Sequence, residues 1–127
     1  MLELMTKQFS KWASKQSISE KELAAAISEI QDGLVEANLG GHLYKKRIRF
    51  AGQGKSGSGR TIICYKKDDR AIFIHGFTKN EKDNLSPKEL QAFKEFSKVL
   101  LELPPEHIKV AIENGDFIEV HYEKINR

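Results

Sequence analysis

The stretch His42–Phe77, HLYKKRIRFAGQGKSGSGRTIICYKKDDRAIFIHGF, predicts three consecutive β-strands. His42–Phe50 alternates between the two faces of a strand. One face carries Leu43 and a cationic stripe of Lys45, Arg47 and Arg49, and the other carries Tyr44, Lys46, Ile48 and Phe50. Arg60–Lys66 and Arg70–Phe77 are β-prone and apolar on both faces. The glycine-rich segment Ala51–Gly59 predicts a loop, and the three residues after Lys66 predict a turn. Because such short connections favour hairpins, we expect the three strands to be antiparallel.

Helical periodicity precedes these strands. A first helix is predicted by the helical spacing of Phe9, Trp12, Ala13 and Gln16. The capping box Ser19–Glu22 predicts the start of a second helix that ends near Gly33. Leu2–Met5 is only four residues long, too short to distinguish the periodicity of a strand from that of a helix. It can therefore be a short strand or the start of a helix.

Helical segments also follow the strands. A second capping box at Ser86–Glu89 predicts a helix, which Pro104-Pro105 terminates. A short helix over Glu106–Asn114 and a last strand over Phe117–Tyr122 complete the chain. We therefore predict an α+β fold, a small antiparallel sheet packed by an N-terminal helix pair and C-terminal helices, with residues 1–127 as one domain.

The composition of the chain argues against disulfide bonds, cysteine-based zinc sites and membrane-spanning helices. The single cysteine, Cys64, excludes a disulfide or a cysteine-based zinc site within one chain, and the four histidines are scattered. No apolar run approaches the roughly 20 residues that a membrane-spanning helix needs. We expect a cytoplasmic protein that uses no metal or other cofactor and has no membrane partner.

The positive charge of the chain is concentrated in its middle. Residues 1–41 carry four Lys and six acids (−2), residues 42–70 carry nine Lys/Arg and two Asp (+7), and residues 71–127 carry eight and ten (−2). Between Leu43 and Lys67 there are eight Lys/Arg and no acid. A solvated face would normally mix both signs, so this segment favours a polyanionic partner such as nucleic acid.

The segment Gly52-Gln53-Gly54-Lys55-Ser56 only partly resembles a nucleotide-binding loop. That motif requires a glycine where this chain has Arg49, and the predicted element after the loop is a strand rather than a helix. Glycines can nevertheless turn backbone N–H groups toward an anion beside Lys55, so phosphate contact and a plain hairpin connection both stay open.

Several motifs together resemble the HigB-type branch of the RelE-like toxins. They are LGGHLYKKRIR at 39–49, GQGKSG at 52–57, GRTI at 59–62 and GFTKNEK at 76–82, and the early Phe9-x-x-Trp12 also fits. The resemblance extends from Lys7 to about Leu103. It implies a compact α+β toxin of a bacterial type II toxin-antitoxin pair that cleaves mRNA in the ribosomal A site and is inhibited by an antitoxin, expected to be a small helix-turn-helix protein.

The resemblance also implies roles for individual residues. Arg60 would clamp the phosphate in the transition state, since a guanidinium offers paired donors, with Lys45 as proton-transfer partner and Arg47 beside it. A metal-independent endoribonuclease of this kind uses the 2′-OH of its substrate as nucleophile. The chain departs from some relatives at Asn80 and Leu85, where they have an arginine and a tyrosine. The expected RNA-binding residues are Arg49, Lys55, Lys46, Lys79 and Tyr65.

Two other functions remain open at this stage. A toxin of the same ParE-like fold could inhibit DNA gyrase without cutting RNA, although the Lys/Arg stripe followed by Arg60 argues against it. A nucleic-acid-binding module without catalytic activity would also account for the charge.

Overall fold

A computed structural model describes residues 1–49, 58–78 and 85–120. In chain order the elements are β1 (Leu2–Thr6), α1 (Lys7–Lys15), α2 (Glu20–Gln31), β2 (Ala37–Gly40), β3 (Leu43–Arg49), β4 (Ser58–Lys66), β5 (Arg70–Thr78), α3 (Pro87–Glu102), α4 (Pro105–Glu113) and β6 (Phe117–Glu119). The predicted α+β class is confirmed.

The strands form one six-stranded sheet in the order β2-β3-β4-β5-β1-β6. As predicted, β3, β4 and β5 are antiparallel neighbours. The segment that the sequence left open is the strand β1, which lies between β5 and β6 and pairs with β5 in parallel. The sequence did not predict β2, which pairs with the start of β3. The sheet is therefore mixed, with a single parallel pairing among its described strands.

Helices cover both faces of the sheet and create two apolar cores. On the first face, here called the α1/α2 face, Phe9, Leu23 and Ile27 pack with strand residues such as Ile63 and Phe73. On the second, the α3/α4 face, Leu100, Leu101 and Ile108 pack with strand residues that include Leu43 and Ile62. Along β3 and β4 the alternation of side chains decides which of the two cores each residue joins. In β5 a β-bulge opposite Ile62 and Ile63 interrupts this alternation, so Ile72 and Phe77 join the same core.

The helix boundaries follow the predicted capping signals. The hydroxyl of Ser19 accepts a hydrogen bond from the Glu22 backbone N–H, and Ser86 and Glu89 form a complete capping box. Thr6 caps α1 in the same way. Since these bonds satisfy amide groups that a helix leaves unpaired, they fix where each helix begins.

Arg70 joins the end of α3 to the sheet. Its buried guanidinium donates from Nη1 to the carbonyl oxygens of Leu100 (3.0 Å) and Leu103 (2.7 Å), and from Nε to Asp69 (2.9 Å). These carbonyls at the C-terminal end of α3 have no partner within the helix. Arg70 therefore anchors α3 on the α3/α4 face.

Some predicted elements extend beyond the described residues. Most of the predicted glycine-rich loop, residues 51–57, and the end of the predicted last strand, residues 121–122, lie outside the described residues. Within the described part, that strand ends at Glu119. The prediction was wrong for the last two residues of the loop, Ser58 and Gly59, which belong to β4 because they pair with β3 and extend the hairpin.

Candidate nucleic-acid interface

The cationic stripe of Lys45, Arg47 and Arg49 lies along β3 on the α3/α4 face. Along β3 the side chains of Leu43, Lys45, Arg47 and Arg49 share one side, because Leu43 belongs to the α3/α4 core while Ile48 belongs to the other. Arg47 and Arg49 are exposed, and Lys45 is half-buried. The alternation predicted from the sequence is thus the one in the structure.

Arg60 joins this stripe from the neighbouring strand. In the register between β3 and β4, Arg47 lies directly opposite Arg60, and Lys45 lies opposite Ile62. Directly opposed residues of an antiparallel pair project from the same face of the sheet. The hairpin register therefore brings together Lys45, Arg47 and Arg60, the three residues expected to be catalytic.

One carboxylate lies at the centre of these cations. Oε1 of Glu36 is 2.8 Å from Nε of Arg60 and 4.0 Å from Nε of Arg47. Oε2 of Glu36 is 3.1 Å from both Nε of Arg60 and Nζ of Lys45. The Glu36 carboxylate thus demonstrates that this cluster can hold an anion with two oxygens.

The cluster keeps Glu36 ionised. Partial burial is the largest influence on the Glu36 carboxyl and raises its pKa, because it disfavours the charged form. The hydrogen bonds and positive charges of Lys45 and Arg60 together outweigh that effect, and they hold the pKa of Glu36 below its ordinary value of 4.5. At neutral pH the cluster therefore combines three cations with one anion.

The cations of the cluster differ in accessibility. The side chain of Arg47 is 64% exposed, whereas those of Lys45 and Arg60 are 13% and 15% exposed. Nη1 of Arg60 is buried and has no hydrogen-bond partner within the described part of the chain. A ligand would accordingly meet Arg47 and Arg49 first, and Arg60 would supply a buried donor behind them.

Glu36 is a site residue that the sequence interpretation missed. Glu36 lies in the acidic N-terminal third of the chain, where the charge pattern predicts no functional site. Two features of the sequence could have identified Glu36. It is the last acid before the cationic run, and it lies two residues before Asn38. The side chain of Asn38 accepts a hydrogen bond from the Gly40 backbone N–H at the turn into β3.

Two expected RNA-binding residues do not join the cluster. Lys46 lies on the α1/α2 face, where its Nζ is 2.6 Å from Oε1 of Glu29 in α2. Tyr65 packs on the same face, with its ring 6.1 Å from that of Tyr44. The structure thus brings together the candidate catalytic residues but separates Lys46 and Tyr65 from them.

Other expected residues fall outside the part of the chain that the structure describes. Lys55 lies in the segment 50–57, and Lys79 and Asn80 lie in the segment 79–84. The site described here is therefore composed of Glu36, Lys45, Arg47, Arg49 and Arg60.

The neighbouring nucleophilic side chain is not part of this site. Burial raises the pKa of the Cys64 thiol to about 11, despite a hydrogen bond with Ser97. The thiolate needed for nucleophilic chemistry is therefore scarce at neutral pH. Residues 1–49, 58–78 and 85–120 contain no cluster of His, Cys, Asp and Glu suited to a metal ion, and none of their helices is long and apolar enough to cross a bilayer.

Comparison with known protein families identifies one match over most of the chain. A family model described as the RelE toxin of the RelE/RelB toxin-antitoxin system matches residues 3–120. A search of curated proteins found no match. The matched range contains the whole cationic cluster and every element described above, except the first residue of β1, Leu2.

Proposed function

Because the chain belongs to the RelE toxin family, we propose that this toxin inhibits translation by cleaving mRNA on the ribosome. Toxins of this family pair with an antitoxin. We further propose that the antitoxin of this chain is a small helix-turn-helix protein, that the other partners are mRNA and the ribosome, and that the toxin acts in the cytoplasm.

The observation that supports cleavage is the convergence of Arg60, Lys45 and Arg47 on the two oxygens of Glu36. A phosphate group offers the same kind of paired oxygens to a guanidinium. Three cations and one carboxylate leave a local charge of +2, which suits the negative charge of an RNA phosphate. The charge and the paired donors of the cluster therefore suit phosphoryl chemistry on RNA.

In the proposed reaction the 2′-OH of the nucleotide before the scissile bond attacks the adjacent phosphorus. The 2′-oxygen forms a bond to phosphorus and loses its proton, while the bond to the 5′-oxygen breaks and that oxygen gains a proton. The products are a 2′,3′-cyclic phosphate and a 5′-hydroxyl. This chemistry needs in-line orientation, two proton transfers and stabilisation of charge on the phosphorane-like transition state.

The residues of the cluster would divide these tasks. Arg60 would stabilise the negative charge on the non-bridging oxygens, for which its buried Nη1 is an available donor. Lys45 would take part in proton transfer, and the exposed Arg47 and Arg49 would hold the RNA backbone. Glu36 would orient Arg60 and Lys45, since it binds both side chains.

The first test is expression of the toxin in bacteria, followed by mapping of mRNA 5′ ends. We expect growth arrest with new 5′-hydroxyl ends inside coding regions that are being translated. Arrest with intact mRNA and altered DNA supercoiling would overturn the proposal and support inhibition of gyrase. Binding of RNA without arrest or cleavage would support a non-catalytic module.

The second test concerns Arg60. Arg60→Ala should abolish the new mRNA ends, while Arg60→Lys should retain RNA binding but lose most of the cleavage, because an ammonium does not offer paired donors. Lys109→Ala is a matched control that removes one exposed cation from α4, which contacts the opposite end of the sheet. Unchanged cleavage by Arg60→Ala would remove Arg60 from the reaction.

A further inference from the structure

The side chain of Lys94 in α3 lies over the turn that joins β2 to β3. The two turn residues, Gly41 and His42, have positive φ angles of 60° and 62°, as a two-residue type I′ turn requires. Nζ of Lys94 is 3.4 Å from the position that a Cβ would take at Gly40, and its Cγ is 3.8 Å from that position at Gly41. In the next turn of α3, Ser97 donates its hydroxyl to the Gly41 carbonyl at 3.1 Å. Because the glycines have no side chain, the stem of Lys94 can pack directly on the turn.

Lys94 forms no ion pair with any residue in the described part of the chain. The residues three and four positions away in α3 include no acid, since they are Leu90, Gln91, Ser97 and Lys98. Lys94 is nevertheless half-buried, whereas Lys88 and Lys98 of the same helix are exposed. An apolar side chain of similar length would cover the glycines equally well without losing the hydration of a charge. Packing therefore does not account for the ammonium group.

The turn adds two backbone donors beside this cation. The N–H groups of Gly41 and His42 donate no hydrogen bond to any residue of the described part of the chain. The other polar groups of the turn are occupied: Gly40 donates its N–H to the side chain of Asn38, and the carbonyl of His42 accepts from the Tyr65 backbone. Successive backbone N–H groups in left-handed conformations can bind an anion. The turn thus offers donors, and Lys94 offers the charge that such a ligand needs.

The strand β2 connects this turn to the cationic cluster. Gly40, at the end of β2, is four residues from Glu36, a separation of about 13 Å at roughly 3.3 Å per residue. Glu36 binds Lys45 and Arg60 on the α3/α4 face, and α3, which carries Lys94, packs on the same face. One RNA strand along this side of the sheet can therefore reach the cluster and the turn with two different phosphates.

We propose that Lys94 and the backbone N–H groups of Gly41 and His42 form a second phosphate site, which binds a non-scissile phosphate of the RNA strand that the cluster cleaves. Lys94 would neutralise the phosphate charge, and the two amides would donate hydrogen bonds to its oxygens. The site would thereby help to position the RNA along β2. RNA as the ligand rests on the proposed function, whereas anion binding at the turn does not.

The test measures binding of the full toxin to an oligouridylate with methylated 2′-OH groups, which cannot be cleaved. Lys94→Met keeps a side chain over the glycines but removes the charge. We expect it to weaken binding by about threefold or more at low salt and to reduce the slope of log affinity against log salt by about 0.7. Lys94→Arg should retain most of both. Lys109→Met is the control, because Lys109 is exposed on α4, which contacts β6 at the opposite end of the sheet from β2.

A second measurement locates the bound phosphate. Titration with the same oligouridylate should shift the amide resonances of Gly41 and His42 in an NMR spectrum of the toxin. Lys94→Met should remove most of that shift while leaving the urea midpoint of unfolding close to that of the unaltered toxin. Inorganic phosphate should shift the same amides only at a much higher phosphate concentration, because it lacks the second contact of the strand with the cluster.

Several outcomes would overturn the proposal. They are equal affinity and salt slope for Lys94→Met and the unaltered toxin, unshifted amides at Gly41 and His42, an equal loss of affinity in Lys109→Met, and shifts by inorganic phosphate as strong as those by the oligouridylate at the same phosphate concentration. These outcomes leave the proposed cleavage untouched if new mRNA ends still form in bacteria. Binding through Lys94 by a toxin that never cleaves mRNA would contradict the proposed function while supporting the phosphate site.

Discussion

The Glu36 carboxylate binds Arg60 through both of its oxygens, with distances of 2.8 and 3.1 Å to Nε. These residues lie 24 positions apart in the chain, on either side of the β3 strand. Glu36 also binds Lys45, at 3.1 Å. A single carboxylate thus holds in place two of the side chains to which the proposed reaction assigns chemical roles.

Replacement of Glu36 should separate RNA binding from RNA cleavage. In Glu36→Gln the cluster gains one unit of net charge, so affinity for RNA should rise and depend more steeply on salt. Cleavage should fall by about tenfold or more, because Arg60 and Lys45 lose the group that orients them. Filter binding over a salt series and single-turnover cleavage on programmed ribosomes measure the two effects.

The control for this charge change is Glu113→Gln, which removes an exposed carboxylate from α4. It should leave both RNA affinity and cleavage close to those of the unaltered toxin. Equal cleavage by Glu36→Gln and the unaltered toxin would contradict a positioning role for Glu36.

The same carboxylate predicts a pH dependence of stability. The pKa of folded Glu36 is lowered from 4.5, so its contribution is fully present above that ordinary value and is lost as the pH falls through the folded value. The unaltered toxin should therefore exceed Glu36→Gln in free energy of unfolding at pH 7, and the difference should shrink below about pH 4.5. Urea unfolding of both proteins from pH 7 to pH 3 tests this, and a constant difference would contradict it.

Gly76 is required for the close approach of α1 to β5. A Cβ added at Gly76 would overlap the indole ring of Trp12. Gly76→Ala should lower the free energy of unfolding by about 1–3 kcal/mol, since the ring or the strand must move. In a Trp12→Leu background the same substitution should cost much less, and denaturant unfolding of the four proteins would measure this coupling. If Gly76→Ala lowers the free energy of unfolding by the same amount in both backgrounds, the strain does not come from its contact with Trp12.

Arg70 should contribute more to stability than its exposed neighbour. Arg70→Met would leave the carbonyls of Leu100 and Leu103 without their described donor, at a cost of about 2–4 kcal/mol in free energy of unfolding. Lys66→Met removes a pair with Asp69 at 3.8 Å between largely exposed side chains, so it should change stability by less than about 1 kcal/mol. Similar losses in both variants would contradict the anchoring of α3 by Arg70.

Local patterns account for the parts of the fold and the site that could be predicted. Alternation along His42–Phe50 identified the strand and the shared face of Lys45, Arg47 and Arg49, because side-chain direction in a strand depends only on position. The same rule separates Arg60 from Tyr65, which are an odd number of residues apart and lie on opposite faces. The capping boxes at Ser19 and Ser86 are equally local, and they marked true helix starts.

The sequence by itself thus determined the three antiparallel strands, the starts of the helices capped by Ser19 and Ser86, the cationic stripe and the resemblance to RelE-like toxins. Only the tertiary structure decided the parallel pairing of β1 with β5, the short strand β2 and the place of Glu36 among the cations. The physical reason is the separation along the chain of the residues that decide each feature. Periodicity and capping depend on neighbours in the chain, whereas these three features depend on strand pairing between distant segments, which no local pattern encodes.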